Sequence, residues 1–339
     1  MHLALLFIGL FAIFSANSQT SNVLDKSGQM PIEQTASLND WLMRWNEASK
    51  RRAYTGTFVV STPQAISSAK IWHVCDGQQQ LERVDTLTGP ARTTIRRNEE
   101  VVTFVPETKL SVLEKREGLS LFPSILQSST PTLGDHYSLK PLSWIERVAG
   151  FEADVIELIA RDDLRFSYRI WSEKKTGLIL KLQTIDAQSR VLEQVAFSEL
   201  QLDAPVRLND LVRAMRQRSG YSAQKLDLIR TSPQVQGWQF KKPISGFNTV
   251  ACHFRVPQGT SDATQHPLQW VLSDGLASVS AFIETFDAGR HTQEAQMAVG
   301  STHSLSRRHG NHWITWVGEV PFKTLLLFAT SLERIQSTP

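Results

Sequence analysis

The period of the hydrophobic pattern changes several times along the chain, and each change marks a boundary. Residues 3–14 are an almost unbroken apolar run from Leu3 to Phe14. The run is too short to span a bilayer, which takes about 20 apolar residues. Small residues follow it, Ser15-Ala16-Asn17-Ser18, so residues 1–18 read as a secretory signal peptide cleaved after Ser18. Its n-region is weak, with only His2 to carry positive charge. No later segment has 18 consecutive apolar residues, and no Cys follows the run, so neither a span nor a lipid anchor is expected in the mature chain.

A helical period begins near Ser37, a good N-cap. Leu38, Trp41, Leu42, Trp45 and Ala48 fall on one face. From Tyr54 the period becomes two. Short β-branched and aromatic segments at 57–60, 69–74, 80–84, 93–97, 101–105 and 110–113 are separated by Pro63, Asp76-Gly77, Gly89-Pro90, Asn98-Glu99 and Pro106. That spacing predicts an antiparallel meander. Residues 119–131 suggest a short apolar helix around Leu121, Phe122, Ile125 and Leu126. Strand patterns return at 137–139, 144–148, 153–160, 165–171, 178–185 and 191–200, with Lys175-Thr176-Gly177 as a hairpin turn. Phe166, Tyr168 and Ile170 share a face opposite Arg165, Ser167 and Arg169.

Residues 203–236 interrupt this pattern and read as a linker. Leu208, Leu211, Val212 and Met215 are helically spaced among Arg207, Arg213, Arg216 and Arg218, and a loose stretch follows. Such a segment is a solvated connecting helix or a contact for acidic headgroups or an acidic partner. Beyond it, strands are predicted at 247–256, 268–273, 277–286, 297–304 and 312–319, with a closing helix from Pro321. The organisation is therefore a signal (1–18), an N-terminal domain (35–202), a linker (203–236) and a C-terminal α+β domain (237–336).

Composition changes this picture little. Hydrophobic content of 41% and charged content of 20% are ordinary for a globular protein. A net charge of +3 is too small to argue for nucleic acid. Cys75 and Cys252 lie far apart in sequence, and their spacing does not say whether they pair. No nucleophile elbow, P-loop, dinucleotide fingerprint or zinc-protease motif is present, so no catalytic residue, cofactor or metal ligand is assigned. His303, His309 and His312 sit among Arg307, Arg308, Gly310 and Asn311, a setting that suits a polar hairpin tip better than a cation site. What stands out is apolar capacity. Trp41, Trp45, Phe58, Trp72, Phe104, Phe166 and Tyr168 are the candidates for lining a cavity that takes a hydrophobic ligand, with a fully packed core as the plainer alternative.

Several strings are similar to those of one family. They are Tyr54-Thr55-Gly56-Thr57-Phe58-Val59, Leu81-Glu82-Arg83, Arg147-Val148-Ala149-Gly150-Phe151, and Asp163-Leu164-Arg165-Phe166-Ser167-Tyr168-Arg169-Ile170-Trp171 with Gly177-Leu178 after it. In the second half they are Pro243-Ile244-Ser245-Gly246-Phe247, Ser273-Asp274-Gly275-Leu276-Ala277-Ser278-Val279-Ser280 and Val317-Gly318-Glu319-Val320-Pro321. From about Trp41 to Leu332 the chain resembles the RseB/MucB family, periplasmic regulators of the sigma-E (AlgU) envelope-stress response. Ser167 stands where the family string has Gly, and Phe166 where it has Tyr.

The resemblance implies a β-rich α+β protein. Its N-terminal domain would be an unclosed antiparallel β-barrel, like the lipoprotein carriers LolA and LolB, wrapped around helices. It also implies a periplasmic, non-enzymatic role. The protein would bind the periplasmic region of an RseA/MucA-like anti-sigma factor and shield it from the site-1 protease DegS. Lipopolysaccharide or lipoprotein acyl chains would release it. A periplasmic lipoprotein or lipid carrier is the competing reading, but a carrier has no need of the second domain. Homo-oligomer formation and the contact surface for the anti-sigma factor stay open.

Overall fold

The computed structural model describes residues 37–115 and 133–335. The expected signal and the expected helix at 119–131 lie outside the described residues. Ser37 caps α1 (Leu38–Arg51) through a capping box: its hydroxyl accepts from the Asp40 N–H at 3.3 Å, and its own N–H donates to Asp40 Oδ2 at 2.8 Å. The first meander then runs antiparallel through β1 (Tyr54–Ser61), β2 (Ile66–Cys75), β3 (Gln80–Thr86), β4 (Thr93–Arg97), β5 (Glu100–Val105) and β6 (Leu110–Lys115). A one-turn helix, α2 (Leu133–His136), precedes the second: β7 (Tyr137–Val148), β8 (Phe151–Ala160), β9 (Ser167–Glu173), β10 (Ile179–Ile185) and β11 (Val191–Leu202). β11 returns to pair with β1, placing Phe197 opposite Phe58 and joining the two meanders.

Residues 137–139 and 144–148 are one strand, not two. β7 carries an irregularity between Pro141 and Ile145. It pairs only with β8 among the described residues, so a proline is tolerated there.

The stretch after α3 (Leu208–Arg216), expected as loose, contains β12 (Ser222–Arg230). This strand corrects the expected architecture. Ser222–Lys225 run parallel to β6, and Leu226–Arg230 then pair antiparallel with β14 (Asn248–Pro257). Closing a barrel requires the two end strands of the sheet to bond to each other. Among the described residues the end strand β7 has no second partner, and the edge of β6 that would receive it is occupied by β12. The sheet is therefore neither closed nor curled into a barrel around helices. It is an open, mostly antiparallel ribbon of 18 strands that continues from one half into the other.

The C-terminal half is the smaller α+β part. From β14 the ribbon passes through β15 (Leu268–Ser273) and β16 (Ser278–Thr285) to β19 (His312–Gly318), β18 (Thr302–His309) and the edge strand β17 (Ala295–Val299). The expected single strand at 297–304 is instead a hairpin, turning at Gly300 with φ +58°. α4 (Phe322–Ser331) packs on this sheet, and β13 (Trp238–Phe240) and β20 (Leu332–Arg334) pair as a separate ribbon. Trp238, Phe254, Trp270, Trp316, Leu325 and Phe328 are buried in its core.

In the N-terminal half the Trp-bearing face of α1 covers the second meander. Trp41, Leu42 and Trp45 pack with Tyr137, Ile156, Leu158, Tyr168 and Ile170. α3 covers the first meander, with Met215 against Ile95, Val102 and Phe104, and Leu211 against Val74 and Leu81.

Four histidines make stability depend on pH. Burial pushes His73, His303, His309 and His312 below the usual 6.5. Nearby Arg334 adds to this for His309 and His312, whereas Glu82 opposes it for His73. Below 6.5 the unfolded chain binds protons that the folded chain refuses. Their contribution is thus fully present above about pH 6.5 and lost as pH falls through the lowered folded values. Glu319, raised by burial and Glu193, pulls the other way. The thermal midpoint is expected to be lower at pH 5.5 than at pH 7.5, and the His309→Gln/His312→Gln double variant should narrow that difference.

Candidate functional site: the seam between the halves

The loop between β8 and β9 projects from the N-terminal half into the C-terminal half. Asp162 Oδ1 accepts from the Leu164 N–H at 3.0 Å and from Arg165 Nε at 2.9 Å, which orients the arginine. Arg165 Nη1 donates to Asp274 Oδ2 at 2.6 Å, and Nη2 donates to the Ser245 carbonyl at 2.7 Å. Both side chains of this ion pair are fully buried, at 0% exposure each. The guanidinium also lies over the Phe247 ring, 5.1 Å from its centroid.

Asp274 is itself held by the turn between β15 and β16. Its Oδ1 accepts the N–H groups of Leu276 and Ala277 at 2.9 and 2.8 Å. Tyr137 completes its shell, donating its hydroxyl to Oδ2 at 3.1 Å. Burial holds the Tyr137 phenol well above the usual tyrosine range, so it stays a donor. A buried carboxylate with four donors, one of them the Arg165 counter-charge, is satisfied. The same carboxylate with one of them removed is costly.

Further contacts reinforce the seam. Thr324 Oγ1 on α4 donates to the Leu164 carbonyl at 2.6 Å, and Lys323 pairs with Asp163. Phe166 meets His303 edge-on at 5.6 Å, and His303 stacks on Phe322 at 4.2 Å. Ser301 Oγ donates to Glu193 on β11 at 3.2 Å. At the β12 crossover Arg255 pairs with Glu114.

The seven cavity candidates do not converge on one site. Trp41, Trp45 and Tyr168 share the cluster under α1. Phe58 packs in a second cluster, Phe104 under α3, and Phe166 at the seam against His303. Trp72 is half-buried beside the Leu211 cluster, between Lys70 and Arg83. Two cavities flank β12 instead. One of about 500 Å³ is lined by Glu100, Leu113, Glu114, Lys115, Lys225 and Asp227 among others. The other, about 410 Å³, lies between residues 230–234 and 249–253. None of the seven candidates lines either. The described residues leave the Trp41 and Trp45 indole N–H groups buried without hydrogen-bond partners.

His309 and His312 pair across the β18–β19 hairpin and meet the Trp238 ring edge-on, whereas His303 lies at the seam. Both cysteines are free. Burial pushes the Cys252 thiol up to about 11.

Sequence reasoning did not single out Arg165, Asp274 or Tyr137, and it placed Arg165 on the wetter strand face. The signal was nevertheless present. The strings 163–171, 243–247 and 273–280, which carry the family resemblance, supply Arg165, the Ser245 carbonyl and Asp274. They lie far apart in sequence and meet at this seam.

Two β-rich halves, joined through one crossover strand among the described residues and pinned by a buried charge pair, define a two-part β-rich scaffold. The chain belongs to the MucB/RseB family: residues 37–215 match the MucB/RseB N-terminal domain, and residues 232–333 match the C-terminal domain. It is 28% identical over 312 residues to the sigma factor AlgU regulatory protein MucB of Pseudomonas aeruginosa, covering 89% of this chain and 93% of that protein. It is 27% identical over 300 residues to the sigma-E factor regulatory protein RseB of Salmonella typhimurium, covering 86% of this chain and 89% of the relative. Among solved structures, MucB in complex with MucA(peri) has a TM-score of 0.65 at 24% identity, over 88% of this chain and 99% of that one. A further crystal structure of MucB has a TM-score of 0.62 at 22% identity, over 87% of this chain and 97% of that one.

Proposed function

We propose that this chain is a periplasmic regulatory protein that binds the periplasmic region of an RseA/MucA-like anti-sigma factor, shields it from site-1 proteolysis and so represses the sigma-E response. The observation that carries this reading is likeness across both halves. The family match spans each of them, and the MucB fold seen with MucA(peri) extends over 88% of this chain.

The finer step is release by the acyl chains of lipopolysaccharide or lipoprotein. A ligand shifts an equilibrium only by its differential affinity for two states. Each buried methylene is worth about 0.8 kcal/mol, so one acyl chain carries enough free energy to compete with a protein partner. The Trp41, Trp45 and Tyr168 cluster under α1 is the favoured entry point. It offers two indole donors without partners and leads through Tyr137 to the Arg165–Asp274 pair. Opening that cluster would disturb the seam, which is a physical route from lipid to partner surface.

A cleavage assay tests both steps. The anti-sigma periplasmic segment is incubated with site-1 protease, with and without this protein. The protein should slow cleavage, and acylated lipid should restore it. Unchanged cleavage contradicts shielding, and protection that persists in lipid removes the release step.

A further inference from the structure

The exposed side of α3 carries a charge that the fold does not use. Residues 207–218 contain four arginines, Arg207, Arg213, Arg216 and Arg218, against one acid, Asp210. Their local charge of four minus one equals the +3 of the whole chain, so every other residue together sums to zero. Residues 207–218 are thus one of the segments where positive charge is concentrated.

Helix stability accounts for only part of this arrangement. Leu211 and Met215 are buried against the first meander, and Leu208 and Val212 pack beside them. At 100° per residue Arg213 stands opposite that stripe, with Arg216 on its flank. Arg213 and Arg216 lie in the last turn, where a cation complements the macrodipole. Arg207 does not. It is the N-cap, makes no side-chain cap, and places a cation at the positive end of the helix. Arg207, Arg213 and Arg216 are exposed, and within the described residues their one ion pair is Arg213 with Asp210.

We propose that the outer side of α3 is a docking surface for an anionic phospholipid bilayer. Charge complementarity selects the occupant. Protein interfaces usually centre on a few large side chains in well-packed, desolvated pockets. No large apolar side chain is exposed anywhere from 207 to 218, and the exposed ones lie on other elements. A surface of exposed arginines without an apolar anchor suits a plane of phosphate headgroups, which it meets by charge alone. Docking there lays the first meander towards the membrane.

The test is cosedimentation of the full mature chain with vesicles. Phosphatidylglycerol/phosphatidylethanolamine vesicles should bind it and pure phosphatidylcholine vesicles should not. Binding should weaken as salt rises from 0.05 to 0.5 M, since the screening length shrinks to a few ångströms. The triple variant Arg207→Gln/Arg213→Gln/Arg216→Gln should partition about a hundredfold less, roughly fivefold per arginine. The matching triple lysine variant should retain binding, and an unchanged thermal midpoint shows that the glutamine variant is folded. Equal binding by the glutamine variant, equal binding to phosphatidylcholine, or no binding to anionic vesicles would overturn the proposal. Capture of soluble poly-glutamate without vesicle binding would overturn it as well, in favour of an acidic protein.

Discussion

Replacing Asp274 with alanine is expected to cost about 3–5 kcal/mol of stability, the range for breaking a buried ion pair by removing one partner. The variant leaves the fully buried Arg165 guanidinium with the partly exposed Asp162 as its one remaining carboxylate partner among the described residues. It also strands the Tyr137 hydroxyl and the Leu276 and Ala277 N–H groups. For a chain of this size each kcal/mol moves the thermal midpoint by roughly 1.5 °C, so a fall of about 5–7 °C should be seen. Because the pair spans the two halves, calorimetry should resolve the single transition into two. Lys323→Ala is the control. Its ion pair with Asp163 spans the same seam, but the two side chains are 56% and 65% exposed. Solvent screens such a pair, and its loss should leave the midpoint unmoved. Equal effects of the two substitutions would show that the buried pair is not what joins the halves.

Phe328→Ala should cost a similar amount, about 3–5 kcal/mol, by a different mechanism. Phe328 on α4 is 0% exposed. Its ring stacks on Trp316 at 5.6 Å, meets Phe247 edge-on at 5.4 Å and lies 5.5 Å from Phe240. Truncation removes the transfer energy of the ring and leaves a cavity between rigid aromatic neighbours that relax poorly. Leu326, on the same helix and 37% exposed, should cost under about 1 kcal/mol when changed to alanine. The two are compared by urea unfolding followed through tryptophan fluorescence. Phe247 also carries the Arg165 guanidinium on its face. The cavity at 328 should therefore loosen the seam, and Phe328→Ala combined with Asp274→Ala should fall short of additivity.

Local pattern revealed most strands because their periodicity is written within a few residues. The capping box at Ser37 and the apolar face of α1 were legible for the same reason. What the pattern could not carry was pairing between distant segments. β12 reads as loose because one half of it pairs parallel with β6 and the other half antiparallel with β14, so no single face is buried along its length. That strand decides the architecture: by taking the edge of β6 it leaves an open ribbon where the resemblance implied a barrel. The hairpin at Gly300 was missed because every residue of β17 is exposed, and an exposed edge strand shows no alternation.

The candidate site was half legible. Residues of the seam lie in the strings that carry the family resemblance, but nothing local distinguishes a buried Arg165 from the solvated arginine that its strand position suggests. Burial there depends on Asp274, 109 positions further along the chain. The aromatic candidates fall into separate packed clusters. Their division among separate clusters follows from which sheet face each one meets, and periodicity alone does not show that.

Partner binding by the chain is tested most directly by one titration. The mature chain is titrated with the periplasmic segment of the anti-sigma factor from its own organism, and the heat of binding is recorded. Saturable binding by the wild-type chain, weakened in Asp274→Ala at a temperature where that variant is still folded, is the expected result. No saturable binding by the folded wild-type chain would contradict the account.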